Sequence, residues 1–163
     1  MTNPKSGLIF LWLSAVAFII DLFTKELVLR NMYYQQIEIL PFFNLTYAEN
    51  PGAAFSFLAS HDGWQKYFFI VLALVISSML IYFLKKNHIS QKLQNSAYAL
   101  IIGGALANMV DRAIHGVVID FLDFYWSNWH YPTFNVADIA ISVGAVLLAV
   151  DAFKNGDKQE KKK

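Results

Sequence analysis

Cysteine is absent from this chain of 163 residues, and charged residues make up only 15% of it. Without cysteine there is no disulfide framework, no thiol nucleophile and no thiolate metal ligand. The four histidines are scattered and form neither an HExxH nor an HxxxH pair, so the sequence predicts no metal site. These absences exclude thiol and zinc chemistry.

Apolar residues dominate what is present. They make up 56% of the chain, and its mean hydropathy is +0.41, which is typical of a membrane protein with a single domain over 1–163. Four apolar runs are long enough to cross a hydrocarbon core of about 30 Å. They cover about 7–29, 64–84, 95–112 and 133–152. The first lacks a small-residue cleavage site and is predicted to be an uncleaved anchor.

The two longer connections, at about 30–63 and 113–132, differ in character. The first alternates apolar and polar residues between Pro, Gly and Asn breakers, which favours short strands in a small sheet at the water–lipid boundary. The second is aromatic and contains no Lys or Arg, so it is predicted to be a loop whose aromatic side chains form an interfacial belt. Pro132 is predicted to occupy the first turn of the fourth helix.

The distribution of basic residues predicts the orientation. The N-terminus, the turn from Lys85 to Lys92 and the C-terminal tail hold nine of the thirteen Lys and Arg residues. Because an even number of spans places all three on one side, that side is predicted to be the cytoplasm. Both longer connections then face outward.

Polar side chains repeat at helical spacing near the outward ends of three spans. An intramembrane ionisable group is costly and is a functional hypothesis by default. The groups are Asp21, Thr24 and Lys25; Asn108, Asp111 and Arg112; and Asn135, Asp138 and Ser142. Spacings of three and four residues place each group on one helical face.

Several of these residues have a structural alternative. Asp21 and Lys25 suit a plain i, i+4 ion pair, and Asp111 and Arg112 suit structural pairing or substrate positioning, since adjacent helical residues do not face one another. Asn50-Pro51-Gly52 in the first outward connection suits a turn.

Asp138 is harder to explain structurally, because no Lys or Arg follows it before Lys154. A second carboxylate from the outward connection, either Asp120 or Asp123, could share a site with it. Two such groups do not easily both ionise, so the pair holds a proton near neutral pH and is suited to hydrolysing an amide. Spacing alone does not choose between Asp120 and Asp123.

Five motifs in chain order carry a resemblance that covers nearly the whole sequence. They are DLFTK from Asp21, NPGAAF from Asn50, GGALANMVDR from Gly103, GVVIDF from Gly116 and FNVAD from Phe134. Together with four spans, they resemble the bacterial lipoprotein signal peptidases, also called signal peptidase II. The resemblance implies that Asp120 and Asp138 are a catalytic dyad.

The resemblance also implies supporting residues. They are Asn50, Gly52, Asn108, Asp111, Arg112 and Asn135, which bind substrate or hold the dyad, and Asp21 and Lys25, which support the site. Leu22 departs from the polar residue common after the first aspartate, which puts in doubt only a role for that side chain. The implied fold is an α-helical integral membrane protein with four transmembrane helices, a small outward-facing β-cradle and an outward loop with a short helix.

The implied activity is that of an intramembrane aspartyl endopeptidase, which removes the signal peptide just before a diacylglyceryl-modified cysteine. The resemblance implies no cofactor and no nucleic acid, but prolipoprotein substrates, membrane lipid, a monomer, and inhibition by cyclic peptides such as globomycin. It places the protein in the bacterial plasma (inner) membrane with both termini cytoplasmic and the site near the periplasmic face.

Other classes remain as alternatives. A proton-coupled transporter or channel subunit also carries acidic residues in its spans, but a relay needs polar groups through the full depth, and the cytoplasmic halves here are apolar. A non-enzymatic scaffold leaves Asp138 unexplained. An intramembrane serine protease is disfavoured by the lack of a GxSxG-like string, and the GxGD aspartyl proteases are excluded by motif.

Overall fold

A computed structural model describes residues 5–52 and 63–160, with side chains up to residue 154. A short 3-10 turn, Gly7–Phe10, leads into the first of four helices. The helices are α1 (Leu11–Asn31), α2 (Trp64–Lys86), α3 (Lys92–His115) and α4 (Val136–Glu160). The strands are β1 (Gln36–Leu40), β2 (Phe43–Asn50), β3 (Val118–Trp126) and β4 (Trp129–His130).

The predicted four-span architecture is confirmed. Four helical segments in the described part are long and apolar enough to cross a membrane: Gly7–Asn31, Trp64–Lys86, Lys92–His115 and Val136–Lys154. Large apolar side chains cover their outer surfaces, with Phe23 61% exposed and Val146 also 61% exposed. Such a surface is stable in lipid and costly in water.

Helix α3 lies at the centre and packs against the other three helices. Its small residues allow close approach. A Cβ added to Gly103 would lie 2.6 Å from the carbonyl oxygen of Ser14 in α1, and one added to Gly104 would lie 2.4 Å from that of Ala137 in α4. Helix α3 therefore sets the distances to α1 and to α4 at these two contacts.

The four strands form one antiparallel sheet in the order β1-β2-β3-β4. Strand β3 contacts the helices through Ile119 and Phe121, which are buried against Val28 of α1 and Met32 immediately after it. The predicted small sheet is confirmed, but the interpretation of the second connection as a loop is wrong. Apolar residues at every second position of this segment bury one face on α1, which stabilises a strand.

The implied short helix is absent from the described residues of both longer connections, 32–52 and 116–135. The rest of the first connection, 53–62, lies outside the described residues. Aromatic side chains of the β3–β4 hairpin are exposed, with Trp126 at 82% and Trp129 at 64%. Their membrane-interface role stays a prediction.

The prediction that Pro132 begins the fourth helix is wrong, since α4 begins at Val136. The chain is still extended at Phe134, whose carbonyl accepts hydrogen bonds from the backbone N–H groups of Phe121 and Leu122 at 3.0 and 2.9 Å. This bridge to β3 holds the residues before α4 beside the sheet. The late start of the helix brings Asp138 into its first turn.

Candidate active site

A reciprocal cap at the start of α4 fixes Asp138. The backbone N–H of Asp138 donates to Oδ1 of Asn135 at 2.9 Å, and the backbone N–H of Asn135 donates to Oδ2 of Asp138 at 3.2 Å. This is the capping-box arrangement, with an Asn at the cap and an acidic residue three positions on. A carboxylate here also interacts favourably with the positive end of the helix dipole. The local sequence therefore sets the orientation of Asp138.

Strand β3 places Asp120 on the other side of the site. Asp120 is only 3% exposed and pairs across the ladder with Ala48 of β2. Its Oδ1 accepts a hydrogen bond from Nδ2 of Asn135 at 2.6 Å, and its Oδ2 accepts one from Nδ2 of Asn50 at 3.0 Å. Asn135 thus contacts both carboxylates, one through its side chain and one through its backbone.

Asn108 of α3 completes the set of amide donors. Its Nδ2 donates to Oδ1 of Asp138 at 2.9 Å, and its Oδ1 accepts from Nδ2 of Asn135 at 3.2 Å. Each of the four oxygens of Asp120 and Asp138 therefore accepts one N–H. The sequence-predicted residues Asn50, Asn108, Asn135, Asp120 and Asp138 all meet here.

A buried ion cluster lies behind Asn108. The Nζ of Lys25 is 2.6 Å from Oδ2 of Asp21, 2.8 Å from Oδ2 of Asp111 and 2.7 Å from Oδ1 of Asn108. Lys25 is 1% exposed, Asp21 is fully buried and Asp111 is 2% exposed. The predicted Asp21–Lys25 ion pair is confirmed, and its burial makes it an internal part of the fold.

Both carboxylates of this cluster also bind backbone. Oδ1 of Asp21 accepts the N–H of Ala137 at 2.7 Å, and Oδ2 of Asp111 accepts the N–H of Ile119 at 3.2 Å. The cluster therefore ties α1 and α3 to the start of α4 and to β3, the two elements that carry Asp138 and Asp120. Thr24 does not join it, because its hydroxyl donates back to carbonyls of its own helix.

Arg112 lies one helical turn after Asn108 in α3, and its side chain packs against α2. Its Nη1 donates to the carbonyl oxygen of Asn108 at 3.3 Å, and its guanidinium carbon lies 4.7 Å from the centroid of the Phe69 ring. It is close enough to Asp138 and Asp120 to interact with both electrostatically. Phe69 is a site residue that sequence reasoning missed, since one Phe in an apolar span carries no distinguishing signal.

The turn after β2 brings Asn50 to Asp120. Gly52 has a φ of +101°, in the region that favours glycine, and its N–H donates to Oδ1 of Asn50 at 2.9 Å. The turn interpretation of Asn50-Pro51-Gly52 is therefore confirmed, and the turn orients the Asn50 amide. The last three residues of the NPGAAF motif, 53–55, lie outside the described residues.

A cavity of about 670 Å³ opens beside the two carboxylates. Asn50, Asp120, Asp138 and Ser142 give it a polar side. The apolar side includes Ile139, Val143, Tyr131, Pro132 and Phe134. A long apolar wall with a few convergent polar groups is typical of a ligand site.

Burial raises the pKa of Asp120 to about 7, and the negative charge of Asp138 acts in the same direction. The hydrogen bonds from Asn50 and Asn135 oppose this shift without cancelling it. Near neutral pH, Asp120 therefore exchanges readily between its acid and its carboxylate form. A pair of this kind is able to supply one general acid and one general base.

Asp123 faces away from the cavity. Its carboxylate contacts Nδ1 of His130 at 2.8 Å and accepts a hydrogen bond from Nδ2 of Asn44 at 3.0 Å. Burial acts to raise the pKa of Asp123, but the hydrogen bonds from His130 and Asn44 outweigh burial and hold it below its ordinary value. Asp123 stabilises the sheet, and Asp120 is the carboxylate that reaches the cavity with Asp138.

Comparisons with known proteins agree with this geometry. Residues 13–154 match the family described as Signal peptidase (SPase) II. The "Lipoprotein signal peptidase" of Actinobacillus succinogenes is 71% identical over 158 residues, covering 96% of this chain and 97% of that protein. The protein of the same name from Pasteurella multocida is 67% identical over 163 residues, covering 99% of each chain.

A solved structure described as a bacterial membrane enzyme, determined at 2.3 Å, superposes with a TM-score of 0.82 at 28% identity. It covers 95% of this chain, which covers 93% of that one. A second bacterial membrane enzyme, determined at 1.9 Å, gives a TM-score of 0.78 at 29% identity. These matches and the four apolar helices make this chain a multi-pass membrane protein, and by its match over 13–154 it belongs to the signal peptidase II family of peptidases.

Proposed function

We propose that this protein is an aspartyl endopeptidase that removes the signal peptide from diacylglyceryl-modified prolipoproteins, cutting just before the lipid-modified cysteine. The observation that carries the proposal is the placement of Asp120 and Asp138 on one cavity, with each carboxylate oxygen held by an amide N–H. The names of the relatives supply the substrate class.

The proposed chemistry needs one proton on the pair. Because its pKa is raised to about 7, Asp120 is assigned the proton in the resting site, and Asp138 is assigned the ionised role. Asp138 removes a proton from water as that water attacks the scissile carbonyl carbon, while the Asp120 carboxyl donates to the carbonyl oxygen. The C–N bond then breaks as the leaving amine takes the proton held by Asp138, and one hydroxyl of the tetrahedral intermediate returns its proton to Asp120, which restores the resting pair.

Access from the bilayer follows from the cavity wall. Ile139 and Val143 line the cavity and are 42% and 44% exposed on the outer surface of α4. A substrate whose acyl chains stay in lipid reaches the carboxylates along this wall without entering water. Because the bilayer already solvates the acyl chains, binding them adds little affinity. Their proposed role is therefore to fix the position of the scissile bond.

The proposed setting is the bacterial plasma membrane, with both termini cytoplasmic and the carboxylate pair toward the outer face. The site is complete within one chain, so a monomer is expected to be active. A cyclic lipopeptide of the globomycin kind is expected to inhibit by occupying the cavity beside Asp120 and Asp138.

The experiment is a comparison of two precursors of identical peptide sequence, with and without the diacylglyceryl group, each incubated with purified protein in lipid micelles. We expect mass spectrometry to show cutting of the lipidated precursor immediately before its modified cysteine and no cutting of the other. Equal cutting of both precursors would contradict the assigned substrate class, and no cutting of either would contradict the proposed activity.

The pH dependence of cleavage is a further prediction. The acid form of Asp120 is lost as pH rises through its raised pKa of about 7, so kcat/KM is expected to fall above neutral pH. The measurement is kcat/KM against pH on the lipidated precursor. Asp123→Asn is expected to leave the descending limb in place, because Asp123 lies outside the cavity. A flat profile between pH 6 and 9, about one unit below and two above the pKa, would contradict the assignment of the proton to Asp120.

A further inference from the structure

Phe69 of α2 contacts two parts of the site, Arg112 and Gly52. One face of its half-buried ring lies under the Arg112 guanidinium, at 4.7 Å. Its edge lies against Gly52, because a Cβ added there would be 2.5 Å from Cε2 of the ring. Helix α2 contributes none of the described residues that line the cavity, so Phe69 acts on the site from outside it.

The ring is a principal support of the Arg112 side chain. Nη1 donates to the Asn108 carbonyl, but Nε is buried and has no hydrogen-bond partner among the described residues. A planar guanidinium over an aromatic face is held both by stacking and by the attraction of the cation to the ring. Without the ring, one face of the guanidinium would be uncovered.

The ring also backs the turn that carries Asn50. The Gly52 N–H holds the Asn50 carbonyl oxygen, which directs the Asn50 NH₂ group to Asp120. With a φ of +101°, Gly52 has no side chain of its own with which to fix its position. The contact with Phe69 therefore determines how closely this turn approaches α2.

We propose that Phe69 is a positioning residue of the site, which holds the Arg112 guanidinium and the Asn50–Gly52 turn in register with the two carboxylates. Through Gly52 and Asn50 it acts on Asp120. Through Arg112 it acts on the region of Asn108, which binds Asp138. The catalytic part of this inference rests on the proposed function, whereas the contact with Arg112 is testable without substrate.

The first test is arginine labelling, because the chain contains only two arginines, Arg30 and Arg112. The protein in micelles is treated with phenylglyoxal, and the modification of each arginine is followed by mass spectrometry. We expect Phe69→Leu to raise the rate at Arg112 severalfold relative to Arg30, which lies in α1 with its side chain 74% exposed. Phe83→Leu is the matched control in α2, where Phe83 contacts Tyr98 instead. An unchanged ratio in Phe69→Leu would overturn the proposal, whatever the cleavage assay shows.

The second test is kinetic. Phe69→Leu is expected to lower kcat/KM for the lipidated precursor about tenfold, between the effects of an exposed and a fully desolvated cation–ring contact, while its melting temperature matches that of Phe83→Leu. Phe69→Tyr, which keeps the ring, is expected to stay close to wild type. In an Arg112→Lys background, the effect of Phe69→Leu is expected to shrink, since both changes act on one interaction. Equal losses in Phe69→Leu and Phe83→Leu, or full additivity with Arg112→Lys, would show that Phe69 only fills space.

Discussion

Asp120→Asn and Asp138→Asn are each expected to lower kcat/KM on the lipidated precursor by roughly 10²–10⁴-fold, the usual contribution of a general acid or base. An asparagine has a single carboxamide oxygen, so it keeps one of the two N–H donors that each aspartate accepts, and it cannot exchange the proton that water attack requires. The measurement is a time course of product formation by gel mobility in lipid micelles, with wild type and each variant at equal concentration.

Asp123→Asn is the matched control for this prediction. It is the same chemical change in the same strand as Asp120, at a carboxylate bound to His130 and Asn44 on the other face. We expect near-normal turnover in Asp123→Asn, with thermal melting showing that all three variants are folded. Near-normal turnover in Asp120→Asn or Asp138→Asn would remove that residue from the dyad.

Lys25→Met is expected to destabilise the protein by roughly 3–5 kcal/mol, the range for breaking a buried ion pair by removing one partner. Lys25 is the cation between Asp21 and Asp111, and all three side chains are at least 97% buried. Removing it leaves two carboxylates in an apolar interior with only backbone N–H donors. Denaturant unfolding of the purified protein in mixed micelles measures the change.

The matched control is Lys85→Met, because Lys85 is exposed in the last turn of α2. It is expected to change the unfolding free energy by less than about 0.5 kcal/mol. A second arm places Lys25→Met in a background of Asp21→Asn and Asp111→Asn, where the two carboxylates that Lys25 neutralises are absent. The cost of Lys25→Met should fall there, and an equal cost in both backgrounds would show that Lys25 acts through packing alone.

Helix-level features were predictable from sequence because they depend on local pattern. Four apolar runs of bilayer length predict four spans, and the i, i+4 spacing of Asp21 and Lys25 predicts their ion pair. Lys25 also contacts Asp111 and Asn108, because α1 and α3 approach each other closely at Gly103. Such a distance is set by packing and not by any spacing along the chain.

In the second longer connection, the wrong assignment of a loop hid the difference between Asp120 and Asp123. Read as an aromatic loop, the segment leaves Asp120 and Asp123 equivalent. Read as the strand Val118–Trp126, it separates them, because residues an odd number apart in a strand point to opposite faces. The alternation of Ile119 and Phe121 was the available signal, and the surrounding aromatic residues obscured it.

Two other features depended on contacts between segments far apart in sequence. The start of α4 at Val136 follows from the bridge between Phe134 and β3, which outweighs the preference of Pro132 for a first helical turn. Phe69 is part of the site because it contacts Arg112 and Gly52, which lie in other segments of the chain. Neither contact has a signature in its own stretch of sequence.

The proposed sharing of one proton by Asp120 and Asp138 is tested most directly by titrating their carboxyl groups. Protein labelled with carbon-13 at its aspartate carboxyl carbons is placed in micelles, and NMR spectra are recorded across pH for wild type and Asp120→Asn. The resonance missing from the Asp120→Asn spectrum is predicted to titrate near pH 7 in the wild type, in agreement with a raised pKa of about 7. Titration of that resonance near pH 4, the value of an ordinary aspartate, would contradict an acid–base pair at this site.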